Sequence, residues 1–212
     1  MRFDDTRSQP FEGASGVIHP ILAEAAAVGN ATARAISYRP RDRRLYFYDD
    51  RQWYSPYAPG SHEFVNENGT LISDWRTFFH YMAIGVTPAM ARSEVGRGST
   101  YAFTAHDKKG DYLTGDKVYS VTLPAPIPAK DFWSVVIYDP QTRSELQTSN
   151  PFPSKNSEAD KMVTNADGSI DLYFGPEAPK GKENNWIETV PNKSWFPILR
   201  LYGPLEPWFE KI

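Results

Sequence analysis

Residues 167–204, DGSIDLYFGPEAPKGKENNWIETVPNKSWFPILRLYGP, contain the pattern that decides the fold. Apolar and polar side chains alternate over residues 170–174, which is the period of a half-buried β-strand. The same alternation returns over residues 198–202, where Gly203-Pro204 ends it. Asp167-Gly168 is a tight-turn dipeptide placed directly ahead of the first strand. We therefore predict a turn, a strand, a long loop rich in proline and glycine, and a second strand.

The composition extends this prediction to the whole chain. Its 212 residues suit one large domain, or one domain with a smaller appendage. The 18 prolines and 14 glycines favour many short elements joined by turns, as in all-β domains. Aromatic residues make up 14% of the chain, so large rings can fill a core with few residues.

The charge, the cysteine content and the length of the apolar runs exclude several kinds of partner, site and membrane segment. The net charge of −3 gives no general attraction to phosphate backbones or anionic lipids, so we expect no nucleic-acid partner. The absence of cysteine removes disulfides, thiolate nucleophiles and cysteine-based metal sites. The first residues contain no apolar segment typical of a signal peptide, and the longest apolar run is far too short to span a membrane. We predict a protein without membrane insertion and without a cofactor.

The first half of the chain has helical patterns. After a polar lead-in over residues 1–17, a buried helix is predicted from Pro20 to Ile36. A second helix is predicted from Asp74 to Ile84, with Asp74 as its cap. Thr87 is predicted to cap a short third helix that begins at Pro88. Residues 38–68, between the first two helices, are rich in arginine and aromatic residues and are predicted to form an ordered, irregular loop.

From Ser99 onward the apolar period becomes two. Residues 101–105 and 118–123 are predicted to pair as a hairpin with a long loop. Residues 132–138 (FWSVVIY) are nearly continuously apolar and predict a central strand, whereas residues 149–160 are polar and irregular. The chain is therefore predicted to be mainly β with a small helical part (α+β). Residues 1–97 are expected to form a helical subdomain, and residues 98–212 a jelly-roll-like antiparallel β-sandwich.

The histidines give one candidate metal site. The four histidines are His19, His62, His80 and His106, and no two have the spacing of a helical metal site. His62-Glu63 could supply an imidazole and a carboxylate to a metal, although a pair of residues in a surface loop is the favoured explanation. No sequence motif of a serine nucleophile, a dinucleotide loop or a phosphate-binding loop is present.

Two arginines and several loop aromatics suggest ligand binding. Arg143 follows the central strand and could clasp an anion, or pair with Asp139 or Glu145. Arg200 presents the same choice on the last strand. The loop aromatics could form a platform for the apolar face of a sugar, or could anchor the loops by packing; they are Trp53, Tyr54, Trp186 and Trp195.

Several longer motifs together resemble domain-of-unknown-function family 1214. They are VGNATARA, SHEF, TPAM, AKDFWSVVIYDPQTRS, LQT, YFGPEAP, NWI and RLYGP, and the resemblance extends from about Leu22 to Phe209. It implies a jelly-roll-like sandwich preceded by a small helical subdomain. It also implies a frequent neighbour, an Ig-like domain of family 1254, and a periplasmic or secreted location in bacterial envelope proteins. The family carries no established catalytic residues that could be transferred to this chain.

The leading functional hypothesis is a non-catalytic envelope module that binds a small polar molecule or a glycan. The site is predicted to lie between the helical part and the sandwich, lined by Trp53, Tyr54, His62, Arg143 and Arg200. One alternative is a hydrolytic or metal-dependent enzyme that uses His62 and Glu63 with Tyr138 or Asp139. Another is a structural domain that supports a separate family 1254 domain.

Overall fold

A computed structural model of the chain describes residues 18–57, 60–83 and 85–211, so the predicted lead-in lies outside the described residues. Within these ranges, three α-helices precede a region of two sheets and a short one follows it, and sheet dominates the fold, which confirms the predicted α+β class. The elements in chain order are α1 (Ile18–Tyr38), α2 (Ser73–Met82), α3 (Pro88–Ala91), β1 (Ser99–Phe103), β2 (Tyr119–Leu123), β3 (Trp133–Tyr138), β4 (Ser154–Asn156), β5 (Ile170–Gly175), β6 (Trp186–Glu188), β7 (Phe196–Tyr202) and α4 (Glu206–Glu210).

The strands form one antiparallel sheet and one mixed sheet. The first has the order β1-β7-β3-β4, and the second has the order β2-β5-β6 with β5 and β6 parallel. β3 lies inside the larger sheet, as the apolar run at residues 132–138 predicted. The jelly-roll expectation is not confirmed, because seven strands in these two sheets do not make the eight-stranded double Greek key of that fold.

The pairing of β1 and β2 corrects the predicted hairpin. β1 pairs with β7 and β2 pairs with β5, so the loop between them crosses from one sheet to the other. β5 and β7, the two strands predicted from residues 167–204, likewise belong to different sheets. The loop that separates them contains β6, which the side chain of Asn185 fixes by donating to the carbonyl oxygens of Val163 and Asp171, both at 2.8 Å.

The larger sheet separates two apolar cores. Val135, Ile137 and Leu201 face the smaller sheet and form the core of the sandwich. Phe103 and Ile198 face the opposite way and pack against the helical part, whose buried residues include the α2 residues Trp75, Phe78 and Phe79. The apolar side of α2 therefore joins the helical part to the sheet.

Two details of the helices differ from the predictions. α1 is buried only near its C-terminal end, and Ile21 and Val28 are 58% and 59% exposed, so the prediction of a buried helix is wrong. Its alanines favour a helix whether or not a neighbour covers them. Asp74 lies inside the first turn of α2 and pairs with Arg41 rather than capping the helix. Thr87 caps α3 as predicted. Within the described residues, no helix is both long enough and apolar enough to cross a bilayer.

The aromatic loop after α1 positions the candidate site. The backbone of Tyr54 exchanges two hydrogen bonds with Phe103, so the loop extends the larger sheet beyond β1. The preceding residues 47–53 then border the opening between the two sheets. Phe47 contacts Trp208 of α4 there, with 4.8 Å between ring centroids.

Candidate functional site

A cleft of about 630 Å³ opens between the edges of the two sheets. Its walls are the loop at residues 50–53, the β1–β2 loop at residues 104–113, and the edge strand β2 with the residue before it. Phe174 of β5, Pro197 of β7 and Trp195, the residue before β7, also line the cleft. Ligand sites are commonly concave and mainly apolar, with a few polar groups that fix the orientation of the ligand.

Two side chains that line this cleft carry a buried ring nitrogen without a hydrogen-bond partner among the described residues. They are His106, through Nε2, and Trp195, through Nε1. The residues are only 5% and 2% exposed. Leaving a buried donor unsatisfied costs about 1–3 kcal/mol, so such groups are uncommon and call for an explanation. Both nitrogens are closed to the cleft as well as to bulk water, so a ligand oxygen supplies the missing partner only if a neighbouring group moves.

Local structure holds His106 in position. The hydroxyl of Thr104 accepts a hydrogen bond from the backbone N–H of His106 and donates one to its carbonyl oxygen. The carboxylate of Asp107 accepts from the backbone N–H groups of Lys109 and Asp111, which closes the turn that follows. The imidazole ring contacts Tyr112, with 4.4 Å between centroids. The ring therefore has a fixed place at the wall of the cleft.

The surroundings of His106 keep its ring neutral. Burial lowers the pKa of His106 below its usual value, and the positive charge of Arg39 lowers it further, while Asp107 acts weakly in the opposite direction. At neutral pH, Nε2 can therefore either accept or donate a hydrogen bond, depending on the tautomer.

Aromatic packing holds Trp195. Its ring stacks on Phe174 at 4.9 Å and meets Tyr119 at 5.8 Å. Trp195 also borders a second pocket of about 260 Å³ beside the end of α1, so it lies between two openings on the surface. An indole N–H can only donate a hydrogen bond, so the atom that it meets must be an acceptor.

The rim of the cleft carries more positive than negative side chains. Arg51, Lys108 and Lys109 line it together with Asp50 and Asp107. Asp50 lies 3.8 Å from Arg51, and the turn already uses the carboxylate of Asp107. Across the described ranges, Lys108 and Lys109 make no ion pair. The rim therefore favours a ligand with negative charge or many oxygen acceptors.

Of the five predicted site residues, Trp53 lines the cleft. Tyr54 follows it in sequence but is 1% exposed, and its hydroxyl donates to the carbonyl oxygen of Ser37 at 3.0 Å. Tyr54 is therefore part of the core between the helices and the sheet, and a ligand cannot reach it without opening that core. His62 lies in an exposed loop with Glu63, and neither residue lines the cleft.

The two predicted arginines also lie away from the cleft. Arg143 is exposed, donates to the carbonyl oxygen of Gln141 at 3.0 Å, and lies over the ring of Tyr81 at 4.5 Å. Arg200 donates to the hydroxyl oxygen of Tyr138 at 2.6 Å on the side of the larger sheet that faces the helical part. For both arginines, contacts with tyrosine take the place of the predicted acidic partners.

The residues of the enzyme hypothesis have structural contacts. The hydroxyl of Tyr138 is bonded to Arg200, and the carboxylate of Asp139 accepts from the backbone N–H groups of Gln141 and Thr142. Lys193 also donates to Asp139, at 3.3 Å. In the part of the chain that the structure describes, no three histidine, aspartate or glutamate side chains are grouped so as to hold a metal ion.

Sequence reasoning did not select His106, and it named Trp195 only as one of four loop aromatics that could form a platform for a sugar. His106 lies in the β1–β2 loop and Trp195 directly precedes β7, so the two are far apart in the chain. No motif connects them, and a lone histidine gives no sign of whether its ring has a partner. The signal that was available was weaker: Trp195, like Trp53, is an aromatic residue in a segment predicted to be a loop.

Comparisons with known proteins give a family but no activity. The model of a family described as "Protein of unknown function (DUF1214)" matches residues 98–206. The VPA0106 protein from Vibrio parahaemolyticus is similar at 24% identity and a TM-score of 0.48, over 63% of this chain and 31% of that one. An uncharacterised protein from Burkholderia cenocepacia is similar at 13% identity and a TM-score of 0.38, over 86% of this chain and 38% of that one. This chain thus spans well under half of either structure. No curated protein matches it.

Proposed function

This chain belongs to the DUF1214 family of proteins of unknown function, and we propose that it is a non-catalytic module that binds a small polar ligand. The ligand occupies the 630 Å³ cleft between the aromatic loop and the edges of the two sheets. The observation that supports this proposal best is that His106 and Trp195, which line the same cleft, each carry an enclosed ring nitrogen without a partner among the described residues.

The chemistry of the walls defines what the ligand must offer. Trp195 requires an acceptor, and neutral His106 can donate to the same kind of atom or accept from a hydroxyl. A carboxylate or a sugar hydroxyl meets these demands. Trp53 adds a half-buried ring at the opening, which suits the apolar face of a sugar ring. Glycans and sugar acids are therefore among the proposed ligands.

Thermal unfolding in the presence of candidate ligands tests the proposal. A panel of neutral sugars, sugar acids and organic carboxylates is screened for a rise in Tm. A ligand present at about a hundred times its Kd stabilises a protein by about 2.7 kcal/mol, which corresponds to roughly 5–10 °C for a chain of this length. We expect at least one compound of the panel to produce such a rise.

Matched variants test whether the rise in Tm comes from binding in the cleft. Trp195→Phe and His106→Phe each remove a nitrogen that we assign to the ligand, so each is expected to weaken binding by about tenfold or more. Trp186→Phe is the control, because the indole of Trp186 lies outside the cleft and donates to the carbonyl oxygen of Gly175 at 2.9 Å. A Tm rise that survives in Trp195→Phe and His106→Phe, or a panel without any effect, would contradict the proposal.

The proposal includes a location in the bacterial cell envelope. The support for that location is the resemblance of the sequence motifs to envelope proteins. Fractionation of a cell that expresses the native gene tests it, and recovery of the protein in the cytoplasm alone would argue against it.

A further inference from the structure

A smaller apolar cavity lies beside the cleft, at the same opening between the sheets. Its volume is about 160 Å³. It is bordered by the end of β2, the inner face of β1 and β7, and helix α4. The side chains that give it its apolar character are Phe47, Trp53, Leu123, Ile127, Leu201 and Trp208.

The cleft and the apolar cavity share part of their walls. Arg51, Trp53 and Val121 line both of them. The two spaces are therefore neighbours along β2, and a single molecule bound under Arg51 and Trp53 can reach into each. A polar half and an apolar half thus make up one extended site.

The size of the apolar cavity indicates what it can hold. An apolar protein cavity of about 150 Å³ stays free of water and binds benzene. The cavity in this protein has a similar volume, and the contact between Phe47 and Trp208 borders it, but it is partly open to solvent and Arg51 also lines it. It therefore has room for one aromatic ring or a short alkyl chain, which would displace water from mainly apolar walls.

The polar half favours an anion. Three cationic side chains line the cleft, Arg51, Lys108 and Lys109, against two carboxylates, Asp50 and Asp107, so its lining has a small excess of positive charge. Asp50 pairs with Arg51, which leaves Lys108 and Lys109 without an ion pair among the described residues. Trp195 can only donate a hydrogen bond, and His106 can donate one as well. A carboxylate accepts two such bonds, and bonds to a charged acceptor are stronger than bonds between neutral groups.

We infer that the ligand of this protein is an amphipathic organic carboxylate. Its head group lies between His106 and Trp195, and its alkyl or aromatic group fills the cavity bordered by Leu123, Leu201 and Trp208. The inference rests on the proposed function and adds the chemical class of the ligand.

Titration calorimetry with butyrate, hexanoate and octanoate tests the inference on the full chain. Burying a methylene group is worth about 0.8 kcal/mol, which is close to a fourfold gain in affinity. We expect affinity to rise by about fourfold for each added methylene. The rise should level off once the apolar group exceeds about six carbons, the size of benzene.

Two variants test whether the gain comes from the apolar cavity. Ala102 is 2% exposed and borders the apolar cavity but not the cleft, so Ala102→Leu fills the cavity and should flatten the series. Trp208 is half-buried, and Trp208→Ala removes an apolar wall of the cavity, so this variant should also reduce the gain in affinity with chain length. It keeps the test valid if Ala102→Leu does not fold. Trp186→Phe should retain the full dependence on chain length.

The outcomes separate this inference from the proposed function. If Trp195→Phe weakens every member of the series but the three acids bind equally well, the apolar subsite is wrong and the cleft remains. If no acid binds in a manner that depends on Trp195, the carboxylate class is wrong, and the sugars of the thermal panel then decide the proposed function. If the gain with chain length persists in both Ala102→Leu and Trp208→Ala, the apolar group lies elsewhere and the inference fails.

Discussion

Replacing Phe78 by alanine is expected to lower the free energy of unfolding by about 3–5 kcal/mol. Phe78 is fully buried in α2, and its ring lies 5.7 Å from that of Tyr54 and 6.5 Å from that of Phe103. It therefore stands where the helical part, the aromatic loop and the larger sheet meet. Since a domain is typically stable by only 5–15 kcal/mol, this single change would remove a large share of the total. Urea unfolding followed by circular dichroism measures the loss.

Phe152→Ala is the matched control. Phe152 is 72% exposed, so the same chemical change there should alter stability by no more than about 0.5 kcal/mol. If Phe78→Ala unfolds the helices in a separate step and leaves the sheets folded, the two parts do not share a core in the way described above. A loss as small as that of Phe152→Ala would contradict the burial of Phe78.

Gly115→Ala is expected to cost about 3 kcal/mol or more, or to prevent folding. A Cβ atom at this position would lie 1.9 Å from the carbonyl oxygen of Val190. The obstacle is backbone, and it cannot move aside easily because the carbonyl oxygen of Gly115 accepts from the hydroxyl of Thr189 at 2.9 Å. The N–H of Gly115 also donates to the carbonyl oxygen of Lys193 at 2.8 Å. Thermal unfolding compares the variant with the original protein.

Gly29→Ala gives the opposite expectation for the same substitution. Gly29 lies in α1, and a Cβ atom there would contact nothing within 4 Å. Alanine favours a helix over glycine by about 0.5–1 kcal/mol, so this variant should be slightly more stable. Equal effects of the two substitutions would show that the close approach of Gly115 to Val190 is absent.

Local pattern was enough to find most of the elements. Strands were predicted from the alternation at residues 170–174 and 198–202 and from the apolar run at residues 132–138. These predictions succeeded because the side chains of a strand face its two sides in turn, so burial of one or both sides is visible in the sequence. The alternation of side chains does not show which strands pair with each other. Tyr101 pairs with Arg200, and Val121 pairs with Leu172, and these pairings depend on contacts between segments that are distant in the chain. The hairpin prediction failed for that reason.

The candidate site was predicted less well than the fold. Trp53 was selected because an aromatic residue in a loop often meets a ligand, and it does line the cleft. Tyr54 has the same sequence environment but points into the core, since neighbouring residues of an extended segment face opposite sides. His106 was not selected, and Trp195 was named only as a loop aromatic, because the lack of a hydrogen-bond partner is a property of the packed structure and has no signature in sequence.

The ¹H–¹⁵N spectrum of the indole groups tests the central claim most directly. The protein has six tryptophans, and Trp195→Phe identifies the signal of Trp195. With the ligand that gives the largest thermal shift, the account predicts that the Trp195 signal moves downfield as its N–H gains an acceptor. The signals of Trp75 and Trp186 should stay in place, because these indoles already donate to Asp42 and to Gly175. A Trp195 signal that does not move when the protein is saturated with ligand would contradict the account.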